Sequence, residues 1–581
     1  MIALFVLASA YLIVPGGFYI DDFRAQAYAA GRGIWPFIIE SNATHLAPGP
    51  RTMDWLQTTF WPLQRGPAVA FTLSACALLG VAVWRLLTQL VTRRWVALAG
   101  LGLALFAPSI IPAIAWYRQT LTTLTGLAFI LVAIDAGLRY FRGAPKQWAY
   151  LAWAAHALGL CFSERAVVVP VTVAAAGLLL APRVAPRLRL ARQVLCVGPM
   201  VAVNLAFLAL YGSGDYDHGG GGTPSVGGFL VATGRSLFVN TVPSLLGGPT
   251  RWRANGEAYS FARTPLWLIG LGVLGTLIVV ATAWRTRRGR SANPLWRPLV
   301  VIATYVLPIY AILYVGRVSR ADIASVDDLR LFPDVGIFVA MALALVVDAV
   351  VKAERRVVVR GLAAVAVLAV VAGSVSWVGF ANRWHRNSSS TYVEALRTDL
   401  ATNLAPVVPS PVPVTVVPNW VQPDFSTADL VALLHPTTKT VVFDSAPRLV
   451  GPHGRLVTGD LRRVDVAPDE RQDFCRHALP AGQSSATINF TQAVPYYRGA
   501  LLDLGVLVSD TTSITVKVAD ETGAVSSPRP SVTPQMQRGP HRVLLPIAPA
   551  VRVKSLQITR SRATADVCLT TVMVVQPPET P

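Results

Sequence analysis

Apolar residues run through the first two thirds of the chain in long uninterrupted blocks, separated by short polar stretches rich in arginine. A bilayer core of about 30 Å takes about 20 helical residues, and about eleven blocks of that order precede Asn382. Their cores lie at 2 to 20, 67 to 90, 95 to 116, 119 to 138, 148 to 163, 166 to 182, 194 to 211, 265 to 284, 297 to 315, 334 to 351 and 359 to 380. Beyond Asn382 the pattern changes. VPVTVVP (Val412 to Pro418) and KTVVFDSA (Lys439 to Ala446) read as strands and TADLVALLH (Thr427 to His435) as a helix, which predicts a small α/β region. From about Ser484 the runs ATINF, ALLDLGVLVS, SITVKVAD, RVLLPI, VKSLQITR and CLTTVMVVQ, punctuated by Gly, Pro, Ser and Thr, read as a β-sandwich. The expected fold is an α-helical polytopic membrane domain (1–381), an α/β linker region (382–483) and a jelly-roll-like β-sandwich (484–581).

Composition agrees: 53% of residues are hydrophobic, 14% are charged and the mean hydropathy is +0.49, against about 25% charged in soluble chains. A net charge of +20 would suit a nucleic-acid partner, but its placement argues otherwise. Basic residues concentrate in every second loop, as at Arg93-Arg94, Arg139 to Lys146, Arg183 to Arg192, Arg285 to Arg290 and Lys352 to Arg360, with Glu354 the one acid among these runs. That is the positive-inside pattern, so the charge is topogenic and no nucleic acid is expected. The alternate loops and everything after Asn382 then face outward, giving a multi-pass plasma-membrane protein with an extracytoplasmic C-terminal domain. Cys76, Cys161 and Cys196 lie within apolar blocks and read as small core residues. Cys475 and Cys568, the pair in the outer domain, read as a disulfide.

Candidate chemistry begins in GGFYIDDFRAQAY (Gly16 to Tyr28), where Asp21 and Asp22 follow the first apolar block. They open an outer loop whose segments WPFIIE and MDWLQTTFWPL can lie in the headgroup plane. Single arginines stand at other outer helix ends, Arg118 in AWYRQT, Arg165 in FSERAVVVP and Arg330 in DDLRLFPD, on the side that the positive-inside rule disfavours. A solvated helix terminus for the acids and snorkelling for the arginines remain the plain alternatives. GDYDHGGGG (Gly214 to Gly222) lacks the Lys-Ser/Thr of a phosphate loop and reads as flexible.

An acidic pair directly after the first membrane helix, many further helices and a C-terminal outer domain resemble the GT-C class of polytopic glycosyltransferases. That class includes protein mannosyltransferases, aminoarabinose transferases and actinobacterial arabinosyltransferases. THLAPG (Thr44 to Gly49), FSER (Phe162 to Arg165) and RLFPDV (Arg330 to Val335) resemble motifs of the actinobacterial members. The resemblance implies a polyprenyl-phosphate sugar donor and an extracytoplasmic cell-envelope glycan or glycolipid acceptor. Attack of an acceptor hydroxyl on the anomeric carbon needs a general base, for which Asp21 or Asp22 is the candidate. The leaving lipid phosphate needs charge neutralisation, to which bidentate arginine is suited; Arg118, Arg165 and Arg330 are the candidates. His45, Glu164 and Arg24 are candidate substrate contacts. Some GT-C relatives hold a divalent cation (Mg, Mn or Ca) and others need none; here Asp21 and Asp22, with Asp327 or Asp328, could coordinate one. The sandwich resembles carbohydrate-binding modules, with Tyr496 and Tyr497 as stacking candidates. The alternatives are a transporter or flippase of a lipid-linked glycan, for which Asp135 and Asp348 are the intramembrane acids, and a non-catalytic glycan-binding scaffold.

Overall fold

The computed structural model describes residues 1–39, 46–181, 185–213, 224–255, 259–288, 295–319, 323–353, 356–402, 406–410, 412–413, 415–417, 425–438, 440, 448–458, 461–468, 474–494, 500–527, 533, 535–547 and 552–576. These divide into two compact units. One comprises Met1–Gly17, Gly31–Gln57 and Gln64–Asn387; the other comprises Phe18–Ala30, Thr58–Leu63 and Ser388–Pro581.

The first unit is helical and carries the apolar blocks, as a multi-pass membrane protein requires. Among the described residues four helices are long and apolar enough to cross a bilayer: Arg65–Leu90, Tyr117–Phe141, Arg187–Gly212 and Trp296–Val318. A fifth arises if the bent pair Arg94–Phe106 and Pro108–Ala115 is one span. Several expected blocks are shortened for local reasons. The first helix ends at Ile13, because Pro15-Gly16-Gly17 follows. The block at 95 to 116 bends by 42° at Ala107, the residue before Pro108, where proline disfavours helical backbone. Helix Tyr117–Phe141 is the central one and packs tightly through small residues. A Cβ on Gly126 would fall 2.5 Å from Ser163 Cβ, and one on Gly137 2.7 Å from Val173 Cγ1.

Asp135 and Asp348 are among the carboxylates buried in this unit. Asp135 pairs with Arg85 at 3.3 Å and with Arg139 at 3.0 Å. Asp348 accepts from the Thr92 hydroxyl at 2.8 Å and from the Thr92 and Arg93 amides at 3.3 Å. These contacts lie immediately ahead of helix Arg94–Phe106.

The second unit is built on two antiparallel sheets. Strands Val525–Ser526, Ile514–Ala519, Val553–Arg560 and Ser485–Val494 form one, in that order. Gly539–Pro546, Leu501–Val508, Val567–Gln576 and Arg462–Val466 form the other, with His477–Leu479 also paired to Val567–Gln576. Inward residues of both sheets, among them Ile488, Phe490, Leu504, Val516, Leu545 and Leu556, share one core. All six runs read from the sequence are strands, but Arg462–Val466 and His477–Leu479 join the same sheet from before residue 484. Cys475 and Cys568 form a disulfide with Cα atoms 5.3 Å apart. Helix Thr427–Leu434 starts with a capping box of Ser426 and Asp429. VPVTVVP is not a strand where it is described. The amides of Val416 and Val417 bond back to the Pro413 carbonyl in a turn, since its prolines cannot donate to a ladder. KTVVFDSA lies outside the described residues apart from Thr440, which bridges Val407 in parallel.

Candidate functional site

In the second unit the acidic pair opens a helix of its own, Asp21–Ala29, rather than ending the first span. Its entry is strained: Ile20, β-branched and buried, has φ +41°, a conformation costing about 1–3 kcal/mol. Surrounding contacts hold it there. The Ser389 hydroxyl donates to the Phe18 carbonyl at 2.7 Å. Phe23 meets Phe18 edge-on at 6.2 Å and Phe425 at 6.0 Å, and Gln26 Oε1 accepts from the Leu63 amide at 2.9 Å. Asp22 is buried, and its carboxylate accepts the Tyr19 amide at 2.8 Å. Asp21 is half-buried and Arg24 exposed. Successive residues leave a helix about 100° apart, so the two carboxylates occupy different surroundings rather than one chelating pair. Among the described residues there is no group of three or more His, Cys, Asp or Glu side chains able to hold a metal ion.

The first unit holds each of the three singled-out arginines in an ion pair with a buried carboxylate. Arg118 lies in the first turn of Tyr117–Phe141 and pairs with buried Asp54. Two residues earlier, Trp116 carries the Arg330 guanidinium 4.3 Å from its ring centroid. Arg330 forms an ion pair with Asp328, Nε lying 2.6 Å from its carboxylate, and the same carboxylate accepts the Arg330 amide, ordering the turn Leu329–Leu331. One turn later Asp334, in the first turn of Pro333–Ala353, accepts Arg165 Nη1 at 2.8 Å and the Tyr305 hydroxyl at 3.2 Å. Arg165 sits in the turn Glu164–Val168 that leads into Val169–Leu179. The side chains of Arg118, Arg165 and Arg330 are 15%, 13% and 14% exposed, and their carboxylate partners 5% or less. Snorkelling into open solvent therefore does not describe them.

All three arginines lie in short turns that lead into longer helical segments: Tyr117–Gln119, Glu164–Val168 and Leu329–Leu331. Glu164 does not pair with its neighbour Arg165; its Oε1 accepts the Leu46 amide at 3.1 Å. Asp327 is engaged by Arg235 at 2.8 Å. His45, Tyr496, Tyr497 and the glycine run at 214–222 lie outside the described residues. Sequence reading missed Asp54, Asp334, Trp116 and Tyr305. Only an unmatched arginine at an apolar helix end, which demands a carboxylate somewhere, could have pointed to the first two.

A family model described as a domain of unknown function (DUF6311) matches residues 65–328. No curated protein matches the chain in sequence. Among solved structures the chain is similar to ArnT from Cupriavidus metallidurans bound to undecaprenyl phosphate, at 15% identity and a TM-score of 0.39, over 75% of this chain and 88% of that one. It is similar to the arabinosyltransferase EmbB from Mycobacterium smegmatis at 12% identity and 0.36, over 100% of this chain and 64% of that one. It is also similar to the archaeal oligosaccharyltransferase AglB from Archaeoglobus fulgidus, solved with an inhibitory peptide and a dolichol-phosphate, at 11% and 0.37, over 69% and 57%. The chain thus spans less than two thirds of the length of the latter two. At these TM-scores the likeness assigns no role and no residue.

Proposed function

We propose that this protein is a membrane glycosyltransferase that moves a sugar from a polyprenyl-phosphate donor to an extracytoplasmic envelope glycan or glycolipid. The observation that carries the reading is the arginine network. Three guanidiniums, each 13–15% exposed, are held by buried carboxylates, and the sequence reading that puts them on the outer side, where basic residues are disfavoured, supports a role beyond topology. A guanidinium offers five N–H donors, and the bond to Asp334 engages Arg165 through Nη1. Such groups suit a lipid phosphate, whose negative charge grows as the bond from anomeric carbon to phosphate oxygen breaks. In this reading a carboxylate of Asp21 or Asp22 takes the acceptor hydroxyl's proton while that oxygen bonds to the anomeric carbon, and polyprenyl phosphate departs with the electron pair. Strain held at Ile20 supports a positional demand on the acids that follow it. About eleven crossings, an outward-facing site and a sandwich that binds glycan complete the proposal.

The test is transfer of radiolabelled sugar from a panel of polyprenyl-phosphate sugars to envelope acceptors. Membranes would contain wild type, Asp21→Asn, Asp22→Asn or Arg165→Gln protein at matched expression. We expect wild-type transfer from one donor class and a loss of about 10²-fold or more in one aspartate variant. Absence of transfer from every donor, with folded protein, refutes the reading; equal transfer in all four removes these residues from the chemistry.

A further inference from the structure

Helix Tyr117–Phe141 begins at the arginine network and ends, about 36 Å away by helical rise, in a second cluster that the proposed reaction does not use. Arg85, near the end of Arg65–Leu90, and Arg139 both pair with Asp135. Both guanidiniums also lie over the indole of Trp148, 5.4 and 5.0 Å from a ring centroid. Arg142 Nη1 donates to the Gln89 carbonyl at 2.9 Å, and Arg192 Nη1 to the Phe141 carbonyl at 3.2 Å. Lys146 immediately precedes helix Gln147–Phe162. Five cations thus gather at these helix ends, two of them on one carboxylate that lies beneath them. The Asp135 side chain is 4% exposed, whereas those of Arg85 and Arg139 are 41% and 32% exposed. The outer face of the cluster is positive.

Topogenic charge needs basic residues near a loop; it does not need them ordered on one indole over a shared buried counter-ion. Helix C-terminal carbonyls, which accept from Arg142 and Arg192, account for part of the clustering. The cationic excess beyond them calls for an anion. At the ends of apolar, membrane-length helices, with a tryptophan at the depth such residues prefer, the anion at hand is a phospholipid phosphate. We infer that Arg85, Arg139, Arg142 and Trp148 form a binding site for the headgroup of an anionic phospholipid. Asp135 acts there as a positioning residue, holding two guanidiniums against the indole.

The full chain in detergent is titrated with phosphatidylglycerol, phosphatidylcholine or inorganic phosphate, and retained lipid is counted by native mass spectrometry, with thermal unfolding as a second readout. Arg142→Gln and Lys146→Gln leave both Asp135 pairs intact. Arg94→Gln removes an exposed basic residue from the same end of the bundle without touching the cluster. The expected result is preferential retention of phosphatidylglycerol, weakened about fivefold by Arg142→Gln and unchanged by Arg94→Gln, with equal lipid-free melting temperatures. Equal retention of the two lipids overturns the inference. So does an equal effect of Arg94→Gln, which would make the attraction diffuse surface charge. Stabilisation by inorganic phosphate equal to that by phosphatidylglycerol overturns it as well.

Discussion

The Arg165–Asp334 pair makes the burial of the arginine network measurable. Its side chains are 13% and 1% exposed and its bond is 2.8 Å, so neither charge is well hydrated once its partner is gone. Breaking such a pair from one side costs about 3–5 kcal/mol, because an uncompensated charge is left behind. Asp334→Asn strands the Arg165 cation. Arg165→Met strands the Asp334 anion, although the Tyr305 hydroxyl at 3.2 Å and the Val335 amide at 3.0 Å still bond it. Its cost should therefore fall at the lower end. The double variant leaves no charge, so its loss should be smaller than the sum of the singles by about 2–3 kcal/mol, within the range of coupling seen for contacting residues. Denaturant unfolding of the full chain in mixed micelles, followed by tryptophan fluorescence, gives the three differences. Singles costing below about 1 kcal/mol that add in the double would be the behaviour of a solvated surface pair, and the buried-network account would be wrong.

Three further outcomes follow from the second unit. The Cys475–Cys568 disulfide closes a separation of 93 residues, so replacing both cysteines by serine should destabilise the β domain by about 4–5 kcal/mol in the chain-entropy view; unchanged proteolytic resistance would contradict this. The Thr522 hydroxyl, with the Thr522, Ala524 and Gly523 amides, holds the Asp520 carboxyl below its ordinary value. Its contribution is present above the usual carboxylate range, about pH 4, and is lost as pH falls through the lowered value. Asp520→Asn should flatten that acid limb of the melting profile, and an unaltered limb would show that the turn is unimportant. Burial pushes the Tyr392 phenol up, so its contribution is full below about pH 10 and is lost as pH rises further. Because its hydroxyl has no hydrogen-bond partner among the described residues, Tyr392→Phe should stabilise by up to about 1–3 kcal/mol and remove the alkaline loss. Destabilisation of the variant would reveal a partner.

What was legible in the chain depended on whether the signal was local. Strands such as Ile514–Ala519 announce themselves through alternate burial of Ile514, Val516 and Val518, the period that a half-buried strand requires. Arg462–Val466 and His477–Leu479 carry no such signal. The first is charged at its start and the second has three residues, and both are strands because Val567–Gln576 offers its edge. Apolar blocks identified the membrane unit by composition, but their interruptions depended on single prolines. The arginines were conspicuous because they broke the charge pattern. Their partners were not, since Asp54 is 64 residues from Arg118 and Asp334 is 169 from Arg165, and only tertiary packing brings them together.

That distinction also bears on transport against transfer. A transporter needs intramembrane carboxylates whose partners can change during a cycle, and Asp135 and Asp348 were the acids available for that role. Both are committed to fixed structural work. Asp135 holds two arginines on an indole, and Asp348 accepts from Thr92 and Arg93, immediately ahead of helix Arg94–Phe106. Releasing either set of contacts would leave a buried carboxylate without its donors, at about 1–3 kcal/mol or more. The Asp21-Asp22 pair differs in kind. Its helix is entered through Ile20, where backbone strain of about 1–3 kcal/mol opposes the gain from a buried side chain. Replacing Ile20 by glycine should therefore relieve strain without removing either carboxylate. If that variant melts higher yet transfers more slowly, the strained entry serves the placement of the acids; if stability and transfer both rise or both fall, the conformation belongs to packing alone.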